Sequence, residues 1–234
     1  MPTALITGAS RGFGHALAGE LARRGWRLVI DATTESNLMA AAAELHRLGT
    51  RDVVAVAGDV TDSTHQAELI RSAAETGDFE LLVNNATLQG PSPQPTLSTY
   101  PIEMLRRVYE VYVIAPLELT QIALPYLREA GGTVVNISSD AAVEGYEGWG
   151  GYGSSKAALD QLSHVLATEE PGIRVYWFDP GDMRTRMHQE AFPDEDISDR
   201  PVPESRVPGL IHLLDERPSS GRYTAEQFLA GVTS

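Results

Sequence analysis

Six short, almost continuously apolar runs alternate along the chain with longer amphipathic segments. The runs are TALIT, RLVIDA, DVVAVAG, ELLVNN, GTVVNIS and IRVYWFD. Such runs are typical of strands buried on both faces of a parallel sheet. The segments between them, residues 14–24, 35–48, 63–76, 101–129 and 152–168, have the length and apolar spacing of helices. The pattern predicts a single α/β domain over the whole chain, with a doubly wound parallel sheet flanked by helices.

Two segments interrupt this alternation. Residues 89–101 contain four prolines and are predicted to form a loop, whereas residues 182–204 are polar, broken by proline and poorly periodic. Ligands of open α/β sheets bind beyond the carboxyl ends of the strands, and each of these segments follows a strand. We therefore predict that residues 89–101 form a wall of a ligand site and that residues 182–204 form a short lid over it.

The charge and residue content exclude several classes of function. With 18 Lys and Arg against 32 Asp and Glu, the formal net charge is −14, which disfavours nucleic acids and anionic membrane surfaces as partners. The chain has no cysteine, and its six histidines are scattered, so no metal site is predicted. We find neither a signal-peptide pattern nor an apolar stretch of the roughly 20 residues that a membrane helix needs. We therefore expect a cytoplasmic protein.

A glycine-rich turn, TGASRGFG, follows the first predicted strand. Gly8, Gly12 and Gly14 remove side chains where the backbone turns tightly or approaches a ligand, and the following helix offers free N–H groups to an anion such as a pyrophosphate. A turn that is tight only for packing has the same pattern, so both interpretations stay open. Asp31 ends the second strand, near where a ribose-binding carboxylate is expected. Asp59 ends the third strand and could contact an adenine amino group or cap a helix.

Five ordered motifs stand at the predicted strand ends. They are Thr7, Gly8, Gly12 and Gly14 in the first turn, Asn84, Asn85 and Ala86 after the fourth strand, Ser139 after the fifth, Tyr152 and Lys156 in a Y-x-x-x-K motif, and Pro180, Gly181 and Thr185 after the sixth. With these motifs the chain resembles the short-chain dehydrogenase/reductase family over nearly its whole length. The resemblance implies a Rossmann-type fold. It also implies an NAD(P)(H)-dependent oxidoreductase that transfers a hydride between nicotinamide and a ketone or secondary alcohol.

The resemblance further implies a role for each residue of the central set. Tyr152 would donate or accept the proton that accompanies hydride transfer. Lys156, one helical turn later, would lower the tyrosine pKa by its charge and hold the nicotinamide ribose. Ser139 would orient the substrate oxygen. The residues expected to bind the cofactor are Gly8, Ser10, Arg11, Gly12, Phe13, Gly14, Asp31, Thr33, Asp59, Val60, Asn85, Ala86, Tyr152, Lys156, Pro180, Gly181, Met183 and Thr185.

Three positions depart from the family pattern. Tyr112 stands where the family has an asparagine that supports a proton-relay water, so we include Tyr112 among the candidate catalytic residues. Its hydroxyl could join the relay, or its ring could fill the space, and we favour filling. Thr87 replaces a glycine after the fourth strand, where the backbone passes close to the cofactor. The glycine pair usual at the C-terminal end of the family pattern is missing, although an edge strand is predicted around residues 222–224.

The choice between the two nicotinamide cofactors depends on the end of the second strand. Asp31 would favour NAD(H), since a carboxylate accepts ribose hydroxyls and repels a 2′-phosphate. However, Asp31 lies one residue before the usual carboxylate position, where this chain has Ala32, and Thr33 is neutral. Arg11 could pair with the 2′-phosphate. We therefore favour NADP(H) over NAD(H).

Aromatic and methionine side chains predict a small to medium, partly apolar carbonyl or alcohol substrate. The residues expected around it are Leu88, Asp140, Glu144, Tyr146, Trp149, Met183, Met187, His188 and Phe192. An alternative is a cofactor-binding regulatory or interaction protein with little activity, which the changes at Tyr112 and Thr87 motivate. By resemblance we also expect a homodimer or homotetramer that pairs through residues 101–129 and 152–168.

Overall fold

The computed structural model describes residues 1–49, 52–88, 90–191 and 193–229. These residues form a seven-stranded sheet with the order β3-β2-β1-β4-β5-β6-β7, and every neighbouring pair of strands is parallel. The strands are β1 (Pro2–Ile6), β2 (Arg27–Ala32), β3 (Val53–Ala57), β4 (Asp78–Asn84), β5 (Thr133–Ile137), β6 (Arg174–Asp179) and β7 (Gly221–Thr224). The strand order reverses between β1 and β4, which opens a crevice at their carboxyl ends. The predicted doubly wound parallel sheet is confirmed.

Helices cover both faces of this sheet. They are α1 (Gly12–Arg23), α2 (Glu35–Arg47), α3 (Ser63–Thr76), α4 (Ile102–Tyr109), α5 (Ala115–Ala130), α6 (Gly150–Glu169), α7 (Arg186–Ala191), α8 (Val207–Glu216) and α9 (Ala225–Leu229). A π-helical turn, Glu110–Ile114, connects α4 to α5. In the ranges that the structure describes, no helix is both long and apolar enough to cross a membrane.

Successive residues of the strands bury their side chains in two separate cores, one on each face of the sheet. Ile6 and Ile30 lie in the core under α1, α2 and α8, whereas Leu5 and Val29 lie in the core under α3 and α5. This alternation follows from the two-residue period of a strand. Because both faces are covered, the central strands are apolar at nearly every position, which is the pattern that identified them in the sequence.

Two differences from the expected elements affect the site. The helix predicted over residues 101–129 is interrupted by the π-helical turn, which contains Tyr112. Helix α8 is not among the predicted elements, and Pro208 and Gly209 stand in its first turn. At the first turn of a helix, proline is favourable. Gly209 is needed because a Cβ there would lie 2.9 Å from the Cα of Ala225.

Candidate active site

A cleft of about 640 Å³ lies beyond the carboxyl ends of the strands and brings most of the predicted site residues together. Those that line it are Gly8, Ser10, Arg11, Gly12, Phe13, Asp31, Thr33, Val60, Asn85, Ala86, Ser139, Tyr152, Lys156, Pro180, Gly181, Met183 and Thr185. Gly14, Asp59 and Tyr112 lie behind this lining. The cleft therefore joins the glycine turn to the Y-x-x-x-K motif across the sheet.

Two of the three glycines in the first turn are required for packing, and the third leaves space for a ligand. A Cβ at Gly8 would lie 2.8 Å from the Cα of Ala86, and one at Gly14 would lie 2.3 Å from the Nδ2 of Asn85, so both positions are required for packing. At Gly12, in contrast, the nearest described atom to such a Cβ would be a methyl of Thr185 at 4.0 Å. Gly12 thus leaves open space at the start of α1, where free N–H groups favour an anion.

Asp31 lines the cleft, but its carboxylate is engaged by protein groups. Its Oδ1 accepts a 2.6 Å hydrogen bond from the amide of Gly8, and its Oδ2 lies 3.2 Å from Nε2 of His65. Only 2% of Asp31 is exposed. The expected contact of Asp31 with a ribose stays a prediction. Through its hydrogen bond with Gly8, Asp31 stabilises the glycine turn. Ala32 and Thr33, the next two residues, also line the cleft.

Asp59 also has protein partners. Its Oδ1 accepts hydrogen bonds from the backbone N–H and the hydroxyl of Thr61, and its Oδ2 pairs with Arg107. Partial burial opposes ionisation, but these contacts outweigh it and hold the pKa of Asp59 below its usual value. Asp62, not Asp59, caps helix α3. Gly58 and Val60 are the residues of this loop that line the cleft.

The start of α6 carries Tyr152 into the cleft beside Ser139, which follows β5. Burial raises the pKa of the Tyr152 hydroxyl, the nearby Tyr112 raises it further, and a hydrogen bond with Ser139 partly opposes the shift. The ring of Trp149 packs on the same tyrosine, with the centroids 5.4 Å apart. The Tyr152 hydroxyl is therefore held in its protonated form next to the serine.

Lys156 is the only lysine in the chain, and it is almost completely buried, with 4% of its surface exposed. Its Nζ donates a 2.6 Å hydrogen bond to the carbonyl oxygen of Ile137. It also lies over the rings of Tyr112 and Tyr152, 4.6 and 5.5 Å from their centroids. Burial lowers the pKa of Lys156 to about 8. The Lys156 ammonium is therefore mostly charged at neutral pH. It lies close to the Tyr152 hydroxyl, whose ionisation this charge would favour.

Tyr112 lies in the π-helical turn and supports the wall of the cleft. Its hydroxyl donates to the carbonyl oxygen of Leu88 at 3.1 Å and accepts from the amide of the same residue at 3.0 Å. Its ring meets Tyr152 edge to face, with centroids 5.4 Å apart, and burial raises its pKa. Both hydrogen-bonding functions of the hydroxyl are thus engaged by the backbone after β4.

Three charged residues that are not among the predicted site residues lie near Lys156. Asp160 is one turn further along α6, Asp179 ends β6, and Arg222 is on β7. Arg222 donates to Asp160 at 3.2 Å and to Asp179 at 3.1 Å. Asp160 could have been found from its i+4 spacing to the lysine. Arg222 had no local signal, because only the sheet order brings β7 beside β6.

The substrate side of the cleft is partly apolar. Tyr146, Trp149, Met187 and His188 line it, as does Asp140, which accepts hydrogen bonds from Ser139 at 2.9 Å and from Tyr146 at 3.0 Å. Leu88 and Met183 line it as well, whereas Glu144 does not. Phe192 lies outside the described residues.

The predicted lid, residues 182–204, contains α7 and is held by ion pairs. Arg200 pairs with Glu195 at 2.6 Å and with Asp199 at 2.9 Å, and its Nε lies 3.8 Å from Asp182. Residues 182–188, Glu195, Arg200 and Pro203 of this segment line the cleft. Over the described part of the chain, no group of His, Asp or Glu side chains is arranged to hold a metal ion.

Comparisons with known proteins agree with this geometry. A family model described as short chain dehydrogenase matches residues 2–196. Sepiapterin reductase of Mus musculus is 36% identical over 199 residues, which is 80% of this chain and 76% of that protein. Serine 3-dehydrogenase of Rhizobium radiobacter is 31% identical over 92% of this chain and 88% of its own.

Solved structures give the same result. A short chain dehydrogenase of Shigella flexneri in complex with NADP has a TM-score of 0.89 and 28% identity, covering 96% of this chain and 97% of that one. One of Escherichia coli in complex with NADPH also has a TM-score of 0.89, with 29% identity and 96% of each chain covered. The fold, the matched motifs and the relatives together assign the chain to the short-chain dehydrogenase family of NAD(P)-dependent oxidoreductases.

Proposed function

We propose that the chain is an NADP(H)-dependent reductase of a small to medium, partly apolar ketone, with the reverse oxidation of the secondary alcohol as its microscopic reverse. The observation that carries this proposal is the meeting of Ser139, Tyr152 and Lys156 in the cleft that also contains the glycine turn. Ser139 and Tyr152 line the cleft side by side, and the Ser139 side chain is close enough to lower the pKa of the Tyr152 hydroxyl. A carbonyl oxygen placed between the two hydroxyls could therefore accept a hydrogen bond from each.

The protein's part in the reaction is to deliver and stabilise a proton. When bound, the nicotinamide supplies the hydride. Tyr152 gives its proton to the developing alkoxide while Ser139 holds that oxygen, and the charge of Lys156 stabilises the tyrosinate that results. Burial keeps Tyr152 protonated, so its hydroxyl has a proton to donate in the reduction. The residues proposed to hold the cofactor are those of the first turn, Val60, Asn85, Ala86, Lys156, and Pro180 to Thr185.

The preference for NADP(H) rests on the end of β2. Both oxygens of the Asp31 carboxylate are already engaged, one by the amide of Gly8 and one by the ring of His65, which favours NADP(H) over NAD(H). Arg11, Thr33 and Asn37 line that part of the cleft, and Arg11 brings a positive charge. NADP(H) is also the cofactor in the two solved relatives described above. Michaelis constants for both cofactors test this proposal, and a preference for NAD(H) of about tenfold would overturn it.

The test of the reaction is Tyr152→Phe, assayed with NADPH and a panel of ketones and aldehydes. We expect turnover to fall by about a thousandfold or more, because the proton donor is lost, while NADPH still binds with its usual affinity. Tyr223→Phe is the matched control, since the Tyr223 hydroxyl donates to the Ser219 carbonyl at the sheet edge and should leave turnover unchanged. Turnover retained in Tyr152→Phe would contradict the assignment.

We further propose a homodimer or homotetramer that pairs through α5 and α6. Ile122, Tyr126 and Val165 on these helices are 37 to 43% exposed, although they are apolar or aromatic, which suits a covered interface. The molar mass in solution tests this directly, and a monomer of 25.3 kDa would contradict it. The cytoplasmic location and the lid role of residues 182–204 stay predictions.

A further inference from the structure

Arg222 connects three segments that meet behind the candidate active site. From β7 its Nε donates to Oδ2 of Asp160 on α6 at 3.2 Å. Its Nη2 donates to Oδ2 of Asp179, at the end of β6, at 3.1 Å, and to the backbone carbonyl oxygen of Ser139 at 3.0 Å. A planar guanidinium suits such a set of acceptors, because its donors are fixed relative to one another.

This cluster adjoins Lys156. Asp160 lies one helical turn after the lysine, so both side chains are on one face of α6. The lysine donates to a neutral carbonyl, that of Ile137, so its compensating charge comes from carboxylates nearby. Asp160 and Asp179 are the two that favour the charged lysine, and their side chains are 12% and 9% exposed. At such burial, water screens their charge weakly.

Other groups also face the lysine, and their charges determine the balance around it. Tyr112 of the π-helical turn and Tyr152 of α6 lie against the lysine. Ser139 and Asp140, after β5, act on Tyr152, and Arg222 of β7 binds both carboxylates. The tyrosines and the serine are neutral when protonated. Without Arg222, two carboxylates would be buried together, which is costly.

We propose that Asp160 and Arg222 are positioning residues of the hydride-transfer site. Asp160 keeps Lys156 cationic in its buried position, and Arg222 holds both Asp160 and the backbone of Ser139. The cluster thereby links the residue that orients the substrate to the residue that stabilises the tyrosinate. This inference rests on the proposed function, but it concerns residues behind the cleft that do not touch the substrate.

A purely structural ion pair is the competing explanation. Such a pair would stabilise the junction of α6, β6 and β7, and its loss would lower stability and activity at every pH without changing the lysine. A positioning role makes a different prediction, because the protonation of Lys156 would change with the charge of Asp160. The titration of Lys156 itself therefore distinguishes the two explanations.

The single lysine makes that titration directly measurable. Protein labelled with carbon-13 lysine has one side-chain spectrum, so the Cε signal reports Lys156 alone. In Asp160→Asn we expect its midpoint to fall by about one pH unit below that of the wild type, because a neighbouring negative charge is lost. The alkaline limb of the reduction rate should move down by the same amount, with the KM for the ketone unchanged.

The matched control is Asp215→Asn. Asp215 also pairs with an arginine, Arg24, but on the exposed surface of α8. It should leave the lysine midpoint and the rate profile unchanged. Should Asp160→Asn not fold, Asp160→Ser removes the same charge and should give the same shift.

The conservative variant completes the test. Arg222→Lys should recover part of the activity that Arg222→Gln loses, because it restores the positive charge but not the planar set of donors. The labelled spectrum of Arg222→Lys contains a second lysine signal. Comparison with Arg222→Gln, which has only the Lys156 signal, assigns the two. A folded Asp160→Asn with an unchanged Lys156 midpoint would overturn the inference. If the wild type reduces no ketone of the panel, the proposed function fails, whereas the lysine titration still decides whether Asp160 controls the charge.

Discussion

Two buried aspartates, one on each side of the cleft, support its two glycine turns in the same way. On the cofactor side, Asp31 accepts a 2.6 Å hydrogen bond from the amide of Gly8. On the catalytic side, Asp179 accepts a 2.8 Å hydrogen bond from the amide of Gly181. Both glycines have a positive φ, 65° and 74°, which other residues rarely adopt.

The two aspartates differ in the partner of their second oxygen. That of Asp31 faces His65, whereas that of Asp179 binds Arg222, which continues to Asp160 and to the Ser139 carbonyl. One turn is thus held locally, and the other is tied to the residues that carry the proposed chemistry. We therefore expect changes on the catalytic side to affect both stability and turnover, and changes on the cofactor side to affect stability and cofactor affinity.

The largest effect is expected for Asp179→Ala. The variant removes the acceptor of the Gly181 amide and leaves Arg222 with a single carboxylate, so the free energy of unfolding should fall by about 3 kcal/mol. Turnover should fall as well. Urea denaturation and the ketone assay measure both. Asp179→Asn keeps an acceptor for the Gly181 amide, so its loss of stability should be smaller. If Asp179→Ala lost less than about 1 kcal/mol of stability, the role assigned to this aspartate would be contradicted.

A smaller effect is expected for Asp31→Ala. The amide of Gly8 and the ring of His65 lose their buried acceptor, so we expect a loss of about 2 kcal/mol in the free energy of unfolding and a cofactor affinity about tenfold weaker. The rate at saturating NADPH should be retained, and Asp31→Asn should restore most of the affinity. An unchanged affinity together with a reduced rate would show that the two sides are not separated in this way.

The pH dependence of stability should belong to the catalytic side. Burial lowers the pKa of Lys156 from 10.5 to about 8, so between these values the unfolded chain binds more protons than the folded one, and the free energy of unfolding rises with pH. From pH 8 to pH 9.5 the rise should be about 1.5 kcal/mol, relative to Lys156→Met. Urea denaturation at the two pH values measures it. Asp31→Asn should retain the rise in the free energy of unfolding. If that free energy changed equally with pH in the wild type and in Lys156→Met, the rise would not originate in the lysine.

The smallest effect is expected for Tyr112→Phe. The backbone of Leu88 loses its partner, so about 1 kcal/mol of stability should be lost, while the reduction rate should stay within about threefold of the wild type. Stopped-flow rates at saturating substrate measure this. If the rate fell by about thirtyfold or more with an unchanged affinity for NADPH, the hydroxyl would be part of a proton relay instead of a support for the cleft wall.

The sequence predicted the sheet and the meeting of Ser139, Tyr152 and Lys156 for a physical reason. Strands buried on both faces must be apolar throughout, and motif residues at their carboxyl ends must converge at one edge of a parallel sheet. The six predicted strands and the edge strand at β7 are present in the structure.

What the sequence did not predict depends mainly on long-range contacts. The partners of the Asp31 carboxylate, Gly8 and His65, lie 23 and 34 positions away in the chain, so no local pattern announces them. The contact of Arg222 with Ser139 joins residues 83 positions apart and arises only once β7 pairs with β6. The π-helical turn around Tyr112 has no recognisable periodicity of its own.

A single, buried lysine has a practical consequence for the chemistry of this surface. Reagents that acylate or cross-link amines would find no lysine side chain at the surface, because the only one is 4% exposed. Apart from a terminal amine, any covalent attachment through such a reagent would have to enter the cleft, where bound cofactor would compete with it. If an amine reagent inactivates the protein and bound cofactor slows that inactivation, the modified group would be Nζ of Lys156.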